Sequence, residues 1–136
     1  MINLVAKTPE TGGAWTGPAG TNADRDWSGG KVPEVMPGSA IVLGDFNMIK
    51  DSDEYQILAA ASGLDNQPLL IDAYSRFNAK QLLDTWHPNP GRDDDQESAM
   101  LDYIFLTPNL LPSTTRVWVD EQADGSDHQP VWLDLE

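Results

Sequence analysis

Ile41-Val42-Leu43-Gly44-Asp45-Phe46-Asn47 is the stretch that decides the fold. Three apolar, β-favouring residues bounded by Gly38 and Gly44 suit a short buried strand. The glycine behind them frees the chain to turn. That turn presents a carboxylate and an amide at a sheet rim, where α/β proteins commonly place their sites.

Downstream, Asp51-Ser52-Asp53-Glu54 supplies cap residues and first-turn acids, and Tyr55, Ile57, Leu58 and Ala61 recur at helical spacing before Gly63. Residues 68–77 carry a weaker helical pattern, with Leu70, Ala73 and Tyr74 on one side. Residues 87–98 form a polar loop. Three more strands are predicted at 101–106, 116–120 and 131–135, the first alternating Leu101, Tyr103 and Phe105 against Asp102, Ile104 and Leu106. Strands interspersed with helices predict an α/β (α+β layered) domain whose mixed sheet has four or five strands. Upstream, residues 1–38 read as a Gly/Pro-rich loop segment with a first strand only at 2–6, because eight of the 11 glycines fall at or before Gly44.

The chain has 136 residues, which fits a single domain, and 40% of them are hydrophobic, as in folded proteins. No apolar run reaches the roughly 20 residues of a membrane span. The N-terminus lacks a basic start followed by an apolar run, so no signal peptide is visible, and the compartment reads as cytoplasmic or extracellular. Zero cysteines exclude disulfides, thiolate metal sites and cysteine nucleophiles. The net charge of −14, from 22 acidic and 8 basic side chains, argues against nucleic-acid binding through a basic surface. Phosphate chemistry here needs a metal ion as its positive charge.

Three clusters lie at strand ends. Asp45 and Asn47 follow the first strand. Asp102 opens an otherwise apolar strand, against strand propensity, and a buried acid needs a partner or a metal. Ser126-Asp127-His128-Gln129-Pro130-Val131 leads into the last strand. Taken singly, Asp45 reads equally as a turn former, Asp102 as a cap and His128 as a loop histidine. Together they offer carboxylates for a hard divalent cation, an amide for a phosphate and an Asp–His pair, a set suited to metal-assisted attack of water on a phosphoester. Among the other candidates, Asp93-Asp94-Asp95 with Glu97 lacks calcium-loop spacing and reads as solvated loop. His87 reads as a loop residue at the site rim. Trp15 and Trp27 read as anchors of the Gly-rich segment, and Trp86, Trp118 and Trp132 as sheet packing.

Gly-Asp-Phe-Asn at 44–47, Leu-Asp-Tyr-Ile-Phe at 101–105 and Ser-Asp-His-Gln-Pro-Val at 126–131 resemble, in order and spacing, the three C-terminal motifs of the endonuclease/exonuclease/phosphatase (deoxyribonuclease-I-like) superfamily. The resemblance covers residues 39–136. It implies half of a four-layer α/β/β/α sandwich and a metal-dependent phosphoester hydrolase of nuclease, phosphodiesterase or phosphatase type. It further implies that Asp45 binds or orients the attacking water, Asn47 holds the scissile phosphate, and His128 contacts that phosphate or manages the proton. Asp102 would orient His128. Asp127, with Asp45, would sit at the metal. The implied cofactor is Mg2+, alternatively Mn2+ or Ca2+. Ser126 fits a local backbone cap better than a catalyst.

The departures are equally specific. The family's early Asn and main metal-binding Glu have no counterpart motif before Ser39. Val5 stands where a second catalytic His belongs, and Met100 where many members carry a basic residue. The resemblance therefore implies the C-terminal half of the domain. Such a half would expose its inner apolar sheet face, so association is expected, as a homodimer or with a complementing N-terminal half. The partner substrate is a phosphoester, either nucleic acid or a small molecule. The alternative reading is a catalytically impaired half-domain that serves as a binding or assembly module.

Overall fold

The computed structural model describes residues 38–62, 66–88 and 96–136. The expected strand at 2–6, Trp15, Trp27, Gly63 and Asp93-Asp94-Asp95 lie outside the described residues. The chain divides into two compact units, Met1–Ala40 and Ile41–Glu136, and the second holds every described strand and helix.

Strand β1, Ile41–Asp45, runs on through Gly44, which takes a φ of 143°. The expected stop at Gly44 is therefore two residues early: glycine tolerates this left-handed backbone, so the strand keeps pairing to Asp45. Ser52 caps helix α1, Asp53–Ala59, its side chain accepting from Tyr55 N at 3.2 Å, while Asp53 and Glu54 sit at the positive end of the helix. The 68–77 pattern resolves into strand β2, Ile71–Asp72, and helix α2, Ala73–Phe77. Asp72 ends the strand and caps the helix, accepting from Ser75 N at 3.1 Å and from the Tyr55 hydroxyl at 2.9 Å. Leu70, Ala73 and Tyr74 are all buried, as their shared side predicts.

Strand β3, Asp102–Leu106, is central. It pairs antiparallel with β1, Asp45 opposite Asp102, and antiparallel with β2. A 3-10 turn, Pro108–Ser113, leads into β4, Thr114–Val119, which forms a separate antiparallel pair with β5, Val131–Leu135. The α/β class stands. In place of one mixed sheet, though, the described residues form a three-stranded and a two-stranded antiparallel sheet, with β5 packed beside β3. The chain reaches β3 running against both of its neighbours, so no pair needs a parallel crossover.

The core is aromatic. Phe46 meets Tyr103 and Phe105 edge-on, at centroid distances of 6.0 and 5.4 Å, and Tyr55 lies against the same two rings. Residues 103–106 are buried on both faces of the strand, so alternation in 101–106 does not separate a wet side from a dry one. The expectation that β1 is buried is overturned. Leu43 is 67% exposed and Ile41 41%, because β1 is the edge of its sheet and their face has little cover. Trp118 and Trp132 stack across β4 and β5 at 6.0 Å, 15° from parallel, with the Arg116 guanidinium 4.1 Å from the Trp118 ring centre.

Candidate active site

The register places the β1 and β3 carboxylates side by side, and hydrogen bonds fix the turn beyond them. Asp45 accepts from Asn47 N at 2.8 Å through one oxygen and from Asn47 Nδ2 at 3.1 Å through the other. The turn-former reading of Asp45 is thus realised as an Asx turn, and Asn47 adopts a φ of 49°, which asparagine tolerates. Both side chains stay exposed and open to a ligand. Phe46 N donates to Leu101 O at 3.0 Å, extending the ladder past the strand. The Tyr103 hydroxyl lies 3.0 Å from Met48 O and 2.8 Å from Met100 O, so one proton is shared between the segments carrying Asn47 and Asp102. Burial pushes that phenol well above the ordinary tyrosine range.

Asp102, the acid out of place in an apolar strand, has found its partner. Its Oδ2 lies 2.8 Å from His128 Nδ1. The His128 pKa is raised above the ordinary 6.5, mainly by the hydrogen bond to Asp102. The negative charges of Asp102, Asp45 and Asp127 push the same way, and partial burial opposes them. The imidazole therefore lies within the field of all three carboxylates. Ser126 Oγ accepts from His128 N at 3.0 Å, the local capping role its position suggests. Asp102 and His128 help line a cleft of about 540 Å³ together with Leu43, Ile104 and Val131.

Two contributors are invisible in the sequence pattern. Thr85 Oγ1 donates to Asp102 Oδ2 at 2.8 Å and accepts from Leu101 N and Asp102 N at 3.0 and 2.9 Å. Trp86 Nε1 donates to Asp127 Oδ2 at 3.3 Å, so Trp86 belongs to the site as well as to packing. His87 N donates to Asp127 O at 2.9 Å, and the His87 ring meets Ser98 Oγ at the base of the polar loop. No local periodicity marks either Thr85 or Trp86. The one available signal was a half-buried acid that needed a hydrogen-bond donor.

Among the described residues, no three or more His, Cys, Asp or Glu gather in a group able to hold a metal ion. Asp45 and Asp127 are hard oxygen donors around one imidazole, and a Mg2+-like ion takes only one or two protein carboxylates beside its waters and a substrate phosphate. The donor chemistry fits such an ion with a minimal ligand set. No helix among the described residues is long and apolar enough to cross a membrane.

Comparison with known proteins gives the family and a structural likeness. The profile of the Endonuclease/Exonuclease/phosphatase family matches residues 10–128, starting upstream of the residue-39 boundary that the motifs suggest. No curated protein matches the sequence significantly. Among solved structures, the 3′ phosphatase NExo from Neisseria, bound to a product DNA hairpin, superposes with a TM-score of 0.55 at 22% identity. The similarity covers 73% of this chain and 46% of that one, so the chain spans under half the length of its structural neighbour.

Proposed function

Because the chain belongs to the endonuclease/exonuclease/phosphatase family, we propose that it hydrolyses phosphoesters with Asp45, Asn47, Asp102, Asp127 and His128. The observation that carries this reading is the Asp102–His128 pair, 2.8 Å apart and surrounded by the charges of Asp45 and Asp127. Asp102 orients the ring through Nδ1, which leaves Nε2 for the phosphate. The raised pKa of His128 favours the charged imidazole, which would stabilise charge developing on the phosphoryl oxygens. The Asn47 amide, anchored through Asp45, positions a phosphate oxygen. The Asp45 carboxylate orients the attacking water and accepts its proton. Asp45 and Asp127 would hold a divalent ion, Mg2+ first with Mn2+ or Ca2+ as alternatives, which would supply the positive charge that polarises the phosphate.

The solved relative is a 3′ phosphatase holding product DNA, so a terminal 3′ phosphate on DNA is the first nucleic-acid substrate to try. The net charge of −14 favours small phosphoesters beside it. Association with a second copy, or with a complementing N-terminal half, is proposed from the exposed Ile41, Leu43, Trp132 and Leu135. A binding or assembly module is the second reading, favoured by the small ligand set. Metal-dependent hydrolysis of bis(p-nitrophenyl) phosphate and of a 3′-phosphorylated DNA hairpin, beside an Asp45→Ala/His128→Ala variant, separates the two. Turnover abolished in the double variant supports the hydrolase; equal turnover in both proteins, or none in the parent, sinks it.

A further inference from the structure

We propose that Thr85 is the positioning residue of the Asp102–His128 pair, its hydroxyl proton setting which imidazole nitrogen carries hydrogen. The catalytic consequence rests on the hydrolase reading above; the positioning does not. A hydroxyl has one proton and two lone pairs. Thr85 Oγ1 lies 3.0 Å from Leu101 N and 2.9 Å from Asp102 N, and backbone N–H groups only donate, so both lone pairs are engaged. The one proton then points to Asp102 Oδ2, at 2.8 Å. His128 Nδ1 lies 2.8 Å from that same oxygen.

The consequence concerns a hydrogen two bonds away. Oδ2 thus takes the Thr85 hydrogen as an acceptor and keeps a further lone pair for a second donor. The hydrogen shared with His128 then belongs to Nδ1, which leaves Nε2 with a lone pair when the ring is neutral. The direction of the whole relay is set by two backbone N–H groups of the Leu101-Asp102 segment. The Thr85 backbone works toward the same end. Its N donates to Ala99 O at 3.0 Å, and its carbonyl accepts from Gln129 N at 2.6 Å, beside His128. Thr85, 0% exposed, thereby ties the segment bearing Asp102 to the loop bearing His128.

Valine matches threonine in shape but can neither donate nor accept, whereas serine keeps both functions. Two-bond proton–nitrogen spectra of the rings at alkaline pH, with His128→Gln identifying the signals, read the tautomer directly. The parent and Thr85→Ser are expected to hold His128 with hydrogen on Nδ1, and Thr85→Val to shift toward a mixture with hydrogen on Nε2. Thr85→Cys, a weaker donor and acceptor, is expected to shift less in the same direction, and it carries the test if the valine variant does not fold. In turnover of bis(p-nitrophenyl) phosphate, Thr85→Val should lower kcat about 10- to 100-fold with KM little changed, and Thr85→Ser should restore it. An unchanged tautomer in both the valine and cysteine variants, or a serine variant as impaired as valine, would overturn the proposal. The expected tautomer shift in Thr85→Val beside a parent with no turnover supports the positioning role and removes the hydrolase reading instead.

Discussion

Removing one oxygen from Tyr103 tests whether the site is held by its core. In Tyr103→Phe the ring keeps its edge-on contact with Phe46 and its stack on Phe105 at 5.7 Å, so the change isolates the hydroxyl. That hydroxyl serves Met48 O and Met100 O, both in buried residues, and Tyr103 itself is 1% exposed. A lost hydrogen bond is worth about 1 kcal/mol net, and a buried carbonyl left short of a donor adds about 1 to 3 kcal/mol before the gain from the more apolar ring. The expected loss is about 2 kcal/mol. With an m-value of about 1.5 kcal/mol/M, the urea midpoint should fall by about 1.3 M, read by circular dichroism. Amide exchange at Asn47 and Asp102 should quicken together, because the shared proton links their segments. A midpoint shift below about 0.3 M at unchanged m would refute the reasoning, because it would mean the two carbonyls do not depend on this donor.

Two further outcomes are expected from the geometry. The His128 pKa is raised in the folded state, so between about 6.5 and that higher value the native protein holds a proton that the unfolded chain has released; the associated stability is complete below 6.5 and is lost as pH rises through the folded value. Asp102→Asn should lower the His128 midpoint in an NMR titration and flatten that slope, whereas an unmoved midpoint would contradict Asp102 as the main cause. Light scattering at micromolar concentration should give the parent a mass above that of one chain and Leu43→Lys a mass near it; a parent that is already monomeric would remove the case for an apolar interface at β1.

How much of this was legible in the sequence depended on whether the signal was local. Asp102 declared itself because an acid inside Leu-x-Tyr-Ile-Phe-Leu conflicts with its surroundings, and His128 beside Asp127 offered the complement. Gly44 misled because a glycine after an apolar run reads as an end, while at a φ of 143° it carries pairing two residues further and brings Asp45 opposite Asp102. Strand β2 was hidden because two residues make no period and Asp72 serves strand and helix at once. Thr85 and Trp86 were illegible for another reason. Their partners lie 13 to 44 positions away, joined when Trp86 bridges Ala99 on one side and His128 on the other. Nothing near Thr85 in the chain encodes that.

The acidity also takes on a different meaning once four of the acids are traced to their partners. Asp45 is answered by the backbone and amide of Asn47, Asp127 by the Trp86 indole, Asp102 by the Thr85 hydroxyl and His128, and Asp72 by Tyr55 and Ser75. Among these four acids, only Asp102 meets an ionisable base. The other donors are neutral; they orient the carboxylates without cancelling their charge, so the negative potential around His128 persists. That potential adds to the Asp102 hydrogen bond in raising the His128 pKa, and it would also attract a divalent cation to Asp45 and Asp127. A lysine or arginine in place of Asn47 or Trp86 would neutralise the same acids and remove both effects. In this rim, polar but uncharged partners therefore leave the carboxylate charges that raise the His128 pKa in place.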